Sequence, residues 1–113
     1  MDFSNYRALV ADDNNMNRII AKGFLDKLGI ENETCSNGKE AIERLETGNF
    51  NLLIIDNHMP ELSGVEAVTQ VRDSGLDNLI IFGWTADIMQ KSTRSFMEAG
   101  ADEVLAKPSS RKI

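Results

Sequence analysis

Two apolar patterns alternate along these 113 residues, and that alternation limits the possible folds more than any other feature. Short continuous apolar runs occur at 8–11, 52–55, 79–82 and 104–106. Runs of this kind suit strands buried on both faces, as in a parallel sheet. A fifth candidate at 31–35 is polar enough for an edge strand. Helical spacing lies between the runs. Met16, Ile19, Ile20, Phe24 and Leu28 form one stripe, closed near Gly29. Ala41, Ile42 and Leu45 form a second, ended by Thr47-Gly48, and Val65, Val68 and Val71 a third, ending near Ser74-Gly75. Met89, Phe96 and Met97 form a fourth, ending at Gly100. Glycine just past an apolar stripe is the usual helix stop.

The resulting β-α-β-α-β-α-β-α-β order predicts a parallel sheet with helices on both faces and right-handed crossovers. Five strands in a chain of this length suggest a flavodoxin-like, doubly wound sheet of order 2-1-3-4-5. The length suits one domain, taken as 1–113. No stretch approaches the roughly 20 apolar residues that span a bilayer, so no membrane contact is expected. The N-terminus lacks the basic flank and apolar run of a secretory signal. Cys35 is the single cysteine, which excludes an intrachain disulfide and suits a reducing, cytoplasmic setting. A formal net charge of −6 without a basic cluster before Arg111-Lys112 argues against direct nucleic-acid binding.

Sites in open parallel sheets form beyond the C-terminal strand ends, where strand order reverses. Here the first strand ends in Asp12-Asp13, the third in Asp56, the fourth in Thr85-Ala86 and the fifth in Lys107-Pro108. Strands 1 and 3 would be neighbours, so their three carboxylates converge, with a hydroxyl and an ammonium approaching from the other side. Carboxylates held together repel unless a cation joins them or protons bind. Mg²⁺ suits such oxygen ligands and commonly shares phosphate oxygens. Asp56 then becomes a nucleophile towards phosphorus, with Lys107 and the metal offsetting charge on the phosphoryl oxygens.

Several segments resemble the receiver (response regulatory) domains of two-component signalling, especially those of hybrid histidine kinases. LVADDNNMNR at 9–18 resembles their acid-pair entry, and LLIIDNHMPELSG at 52–64 their phosphoacceptor loop, D-x-x-M-P-x-x-x-G. NGKEAIERL at 37–45 resembles the second helix, and WTA at 84–86 and LAKPS at 105–109 the threonine and Lys-Pro signatures. The resemblance runs from about Arg7 to Ser109, with all motifs in order. It implies phosphorylation on Asp56, direct Mg²⁺ ligation by Asp13, Asp56 and the His58 backbone carbonyl, and a largely water-mediated role for Asp12. It implies that Thr85 is the switch hydroxyl, followed by Ala86, that Lys107 pairs with phosphate, and that Pro108 follows a cis peptide bond. The implied partners are a histidine kinase or histidine phosphotransfer domain upstream and a downstream protein reached by contact.

Each signal has a plainer reading. Asp12-Asp13 alone would be helix-capping acids, Asp56 a turn residue, Lys107 a solvated charge and Thr85 a helix cap. Order and spacing favour the joint site. His58, the single histidine, either tunes phosphate loss or is an exposed loop residue; no second histidine or nearby cysteine supports zinc. Cys35 reads as a small packed residue, and Met89, Phe96 and Met97 as core.

Two departures from the family stand out. Many receivers carry Tyr or Phe three residues before the lysine; here the position is Val104, which cannot make the same ring movement. Trp84 could supply part of the signalling surface instead, or could only pack against the fourth helix. After Lys107 only six residues follow, so a short or missing fifth helix is expected. The sheet face shared with the first helix should then be partly bare, covered by another chain or, as a homodimer, by a second copy; a fragment of a hybrid kinase would end in the same way. The expected function is phosphoacceptance in a phosphorelay, with the domain assisting its own phosphorylation and dephosphorylation. The rivals are a phosphorylation-independent interaction module and a phosphohydrolase, the latter disfavoured because His58 stands where a second acid would be needed.

Overall fold

Five parallel strands alternate with four helices in the computed structural model, which describes residues 5–86 and 91–107. The elements are β1 (Arg7–Ala11), α1 (Asn15–Lys27), β2 (Glu31–Cys35), α2 (Gly38–Thr47), β3 (Leu52–Asp56), α3 (Gly64–Asp73), β4 (Ile80–Thr85), α4 (Lys91–Ala99) and β5 (Glu103–Ala106). Spatial order is β2-β1-β3-β4-β5, with every pairing parallel. This is the flavodoxin-like order expected from the alternating pattern. β3 lies at the centre and is buried throughout, which explains its uninterrupted apolar sequence. β2 is an edge strand, and its polar ENETC sequence fits that place.

Local signals set the helix limits. Asn14 caps α1 and Asn37 caps α2 through their side-chain oxygens. Ser63 and Glu66 form a reciprocal capping box at the start of α3. Gly29 follows α1 with φ of 77°, a conformation costly for a residue with a Cβ.

The sheet separates two cores. On one face Leu9, Leu53, Ile55 and Ile81 meet Ala41, Leu45, Val68, Val71 and Phe96 of α2, α3 and α4. On the other, Ala8, Val10, Leu52, Ile54 and Trp84 meet Ala21 and Leu25 of α1. β4 runs three residues beyond the apolar stretch that announced it, to Thr85. The reason is Gly83, where a Cβ would stand 2.6 Å from the Phe96 ring. Its missing side chain interrupts the apolar run in the sequence but lets α4 close on the strand.

The same contact corrects the reading of Trp84 as a residue packed on the fourth helix. Side chains alternate along a strand. Gly83 faces α4, so Trp84 faces the opposite side and is buried in the α1 core. Val104 faces the α4 side, half-buried against that core.

The α1 stripe also needs correction. The helix forms where expected, but Ala21 and Leu25 are its buried residues. Met16, Ile19, Ile20, Phe24 and Leu28 are 37–63% exposed. α1 packs over β1 and β2, so the side of the helix towards β5 looks onto a trough floored by Ile54, Trp84 and Phe82 and edged by Leu105. No described element covers that trough. The fourth helix begins at Lys91, so Met89 lies outside the described residues, as do Pro108 with its peptide bond and the whole segment expected to carry a shortened fifth helix. Of the remaining fourth-helix stripe, Phe96 is core and Met97 is exposed, against the expectation that both pack inward.

Gly83→Ala should destabilise the protein by about 2 kcal/mol through overpacking against Phe96. Urea denaturation of Gly83→Ala, Phe96→Leu and the double variant should show a double-variant loss smaller than the sum of the two single losses.

Candidate functional site

Two adjacent strand ends deliver the acids. β1 runs into Asp12, whose backbone N–H donates to the Cys35 carbonyl at 3.1 Å, extending the pairing with β2. The Asn14 backbone N–H donates to Asp12 Oδ1 at 2.9 Å as the chain turns into α1. Asp12 is completely buried, whereas Asp13 is exposed at the cleft. β3 ends in Asp56, only 4% exposed. The chain then loops back so that the Gly64 N–H reaches the Asn57 carbonyl at 3.0 Å and the Val65 N–H reaches Asn57 Oδ1 at 3.0 Å. A Cβ on Gly64 would lie 2.1 Å from the Asp56 carbonyl oxygen. The glycine eight residues after the acid is therefore a steric requirement of this loop, and the buried Met59 anchors the loop to the core.

The opposite wall comes from β4 and β5. Thr85 is buried at the end of β4, and Ala86 follows at the surface. The Lys107 backbone N–H donates to the Thr85 carbonyl at 2.7 Å, continuing the β4–β5 pairing beyond Ala106. Its ammonium then reaches across the sheet. Lys107 Nζ is 2.9 Å from Asp12 Oδ2 and 2.9 Å from Asp56 Oδ1. It also stands 5.6 Å from the centre of the Trp84 ring, which floors it on the α1 side.

One cleft thus gathers Asp12, Asp13, Asp56, His58, Thr85, Ala86 and Lys107. Trp84 lies behind Lys107 rather than on the cleft surface, and Val104 faces the α4 core. Asn14 and Asn17 also line the cleft, and neither was singled out from the sequence as a site residue. Their signal was present in the NNMN run directly after the acid pair, which reads as helix-capping chemistry until its position at the strand end is known.

Electrostatics makes the cleft demanding. Oxygens of Asp12, Asp13 and Asp56 lie within 4.8 Å of one another. Burial pushes the Asp56 carboxyl above its ordinary value; the Lys107 hydrogen bond opposes this and the Asp12 charge adds to it. Burial acts to lower the Lys107 ammonium, but its hydrogen bonds and charge interactions with Asp56 and Asp12 prevail, and its pKa is raised. The three-carboxylate set, open to solvent through Asp13, offers oxygen ligands of the kind that suit a hard divalent cation.

The pH consequences follow from these signs. Asp56 holds a proton more tightly folded than unfolded, so metal-free stability declines as pH rises from 3.8 through its raised folded value. The Lys107 contribution is complete below 10.5 and is lost as pH rises through its own raised value. Lys107→Met should cost about 3 kcal/mol at pH 7, because buried carboxylates lose their counter-charge. The loss should shrink near pH 4 as Asp56 protonates. Urea denaturation at both pH values in EDTA measures this, and equal losses at the two would contradict it.

Comparison with known proteins agrees with this architecture. Residues 8–113 match the family model of the response regulator receiver domain. The autoinducer 2 sensor kinase/phosphatase LuxQ of Vibrio vulnificus is 32% identical over 102 residues, 90% of this chain but 12% of that protein, so the chain spans a small part of such a kinase. The receiver domain of Ssk1 from Saccharomyces cerevisiae, solved with the histidine phosphotransfer protein Ypd1, superposes with a TM-score of 0.81 at 29% identity, over 91% of this chain and 79% of the other. The response regulator TrrA of Thermotoga maritima, solved in complex with Mg(2+)-BeF, gives 0.82 at 35% identity, over 93% and 89%. Cleft, sheet order and sequence agree: the chain belongs to the response regulator receiver domain family.

Proposed function

We propose that the domain accepts a phosphoryl group on Asp56 from a phosphohistidine and changes its affinity for a partner protein as a result. The observation that carries this reading is the Lys107 ammonium, 2.9 Å from Asp56, at the rim of a three-carboxylate cluster. An Asp56 oxygen attacks phosphorus as the phosphorus–nitrogen bond to the donor imidazole breaks, and the product is an acyl phosphate. Asp13, Asp56 and the His58 carbonyl would hold Mg²⁺, with Asp12 acting through water. Bound there, the metal supplies positive charge to the phosphoryl oxygens and relieves the repulsion among the acids.

The chain's own groups do the rest. Before phosphorylation Lys107 is shared between Asp12 and Asp56. The arriving dianion draws the ammonium away from Asp12, and the Thr85 hydroxyl donates to a phosphoryl oxygen. Lys107 continues β5 directly, and Thr85 ends β4, so both movements reach the backbone of those strands. A shift between two pre-existing surface states then alters partner binding. Hydrolysis returns the carboxylate, with His58, exposed at the cleft mouth, adjusting water access. The likeness to the Vibrio sensor kinase and to the Ssk1 receiver solved with Ypd1 supports a histidine kinase or a histidine phosphotransfer domain as donor.

A second reading, a binding module that needs no phosphate, draws on Val104, which stands half-buried where many receivers carry a mobile ring. The intact acid, threonine and lysine set favours the switch.

Acetyl phosphate with MgCl₂ should add one phosphoryl group, detected by intact-protein mass. Asp56→Asn should abolish the addition, and EDTA should suppress it at least tenfold. Labelling that persists in Asp56→Asn would defeat the assignment.

A further inference from the structure

Arg18 touches the acid cluster from behind, through the backbone rather than through a carboxylate. Its Nη1 donates to the Asp12 carbonyl oxygen at 2.6 Å, and its Nη2 donates to Asn15 Oδ1 at 3.3 Å. The Asp12 carbonyl belongs to a completely buried residue one position past the end of β1. The β1–β2 register stops at Ala11 and Cys35 and the β1–β3 register at Ala11 and Ile55, so the regular ladder does not reach this oxygen. A buried carbonyl needs a donor, and α1 provides one from its first turn.

We infer that Arg18 is a positioning residue for the cation site: by holding the Asp12 carbonyl it fixes the peptide plane between Asp12 and Asp13, and so the direction in which Asp13 leaves the backbone. The peptide unit is planar, so fixing its oxygen also fixes the amide nitrogen of Asp13. The two sides of Asp12 are then held independently. Its N–H is tied to Cys35 and its Oδ1 to the Asn14 N–H, while its carbonyl is tied to Arg18. Asp13 is the exposed member of the carboxylate group. Its placement beside Asp12 and Asp56 therefore leans on the backbone that carries it. The Arg18 fork binds a carbonyl and an amide oxygen at once, a geometry that a lysine ammonium does not reproduce.

This inference rests on the reading of the cleft as an Mg²⁺ site, and it makes a prediction opposite to that of simple charge. If Arg18 acted only as a nearby positive charge, Arg18→Met would tighten Mg²⁺ binding and Arg18→Lys would leave it unchanged. A positioning role predicts that Arg18→Met weakens Mg²⁺ binding about tenfold, as loss of an outer-shell partner commonly does, and that Arg18→Lys weakens it too. The experiment is titration of the protein with MgCl₂, followed by calorimetry and by the fluorescence of Trp84, the single tryptophan, over which Lys107 stands. Each variant is titrated well below its unfolding midpoint in EDTA-treated buffer, so general destabilisation does not enter the affinity. If Arg18→Met fails to fold, Arg18→Lys alone decides: weakened binding supports the role and wild-type affinity overturns it. Unchanged or tighter binding by a folded Arg18→Met overturns it as well. A wild-type protein that binds no Mg²⁺ would instead refute the cation site itself, and with it this inference.

Discussion

The structure depends on keeping two carboxylates and an ammonium together, largely shielded from solvent, at the end of a sheet. Asp12 and Asp56 are buried, and Lys107 bridges them at 2.9 Å each. Isolated buried charges are costly, and a pair is tolerated only when geometry and hydrogen bonds are good. Here one ammonium faces two buried acids, with a third at the mouth. The excess negative charge gives the cleft its use for a cation or for an incoming phosphorus centre. It also explains why the surrounding backbone is so fully tied: Asp12 by Cys35, Asn14 and Arg18, Asp56 by the loop closed at Gly64, and Lys107 by Thr85.

A parallel sheet makes this arrangement cheap in sequence. Every strand delivers its last residue to the same edge, so four strand ends bring acids, a hydroxyl and an ammonium together without any dedicated insertion. Connecting backbone at the strand ends is free to turn around the site, and short polar side chains such as Asn14 and Asn57 satisfy the turns. Lys107 reaches the acids from β5, two strands away from β3 across β4. The length and flexibility of its side chain make that span possible, and Trp84 gives the chain an apolar surface to lie on.

The two faces of the sheet are treated unequally. Three helices close one face, with Gly83 and Phe96 in intimate contact. On the other, α1 covers β1 and β2, and among the described residues no element covers the trough lined by apolar side chains of α1, β4 and β5. Trp84 lines the trough on one side and carries the Lys107 ammonium over its ring on the other.

Much of this was legible in residue order alone. The alternating patterns yielded four strands from apolar runs, a polar edge candidate at 31–35, four helices and the sheet order, because period and length distinguish a buried strand from an amphipathic helix. The acids and the lysine stood out because they follow apolar runs, and Thr85 because the WTA segment resembles the family's threonine signature. Three things needed the tertiary structure. The face of Trp84 was decided by a glycine neighbour that accepts Phe96, a contact between segments far apart in the chain. The exposure of Ile20 and Phe24 was decided by where α1 sits over the sheet, since periodicity identifies a stripe but not what lies opposite it. The part played by Arg18 was hidden because it is a side-chain bond to a backbone carbonyl, and such bonds leave no residue pattern at either end. Sequence determines which groups stand at each strand end; only packing decides how far each reaches and what it touches.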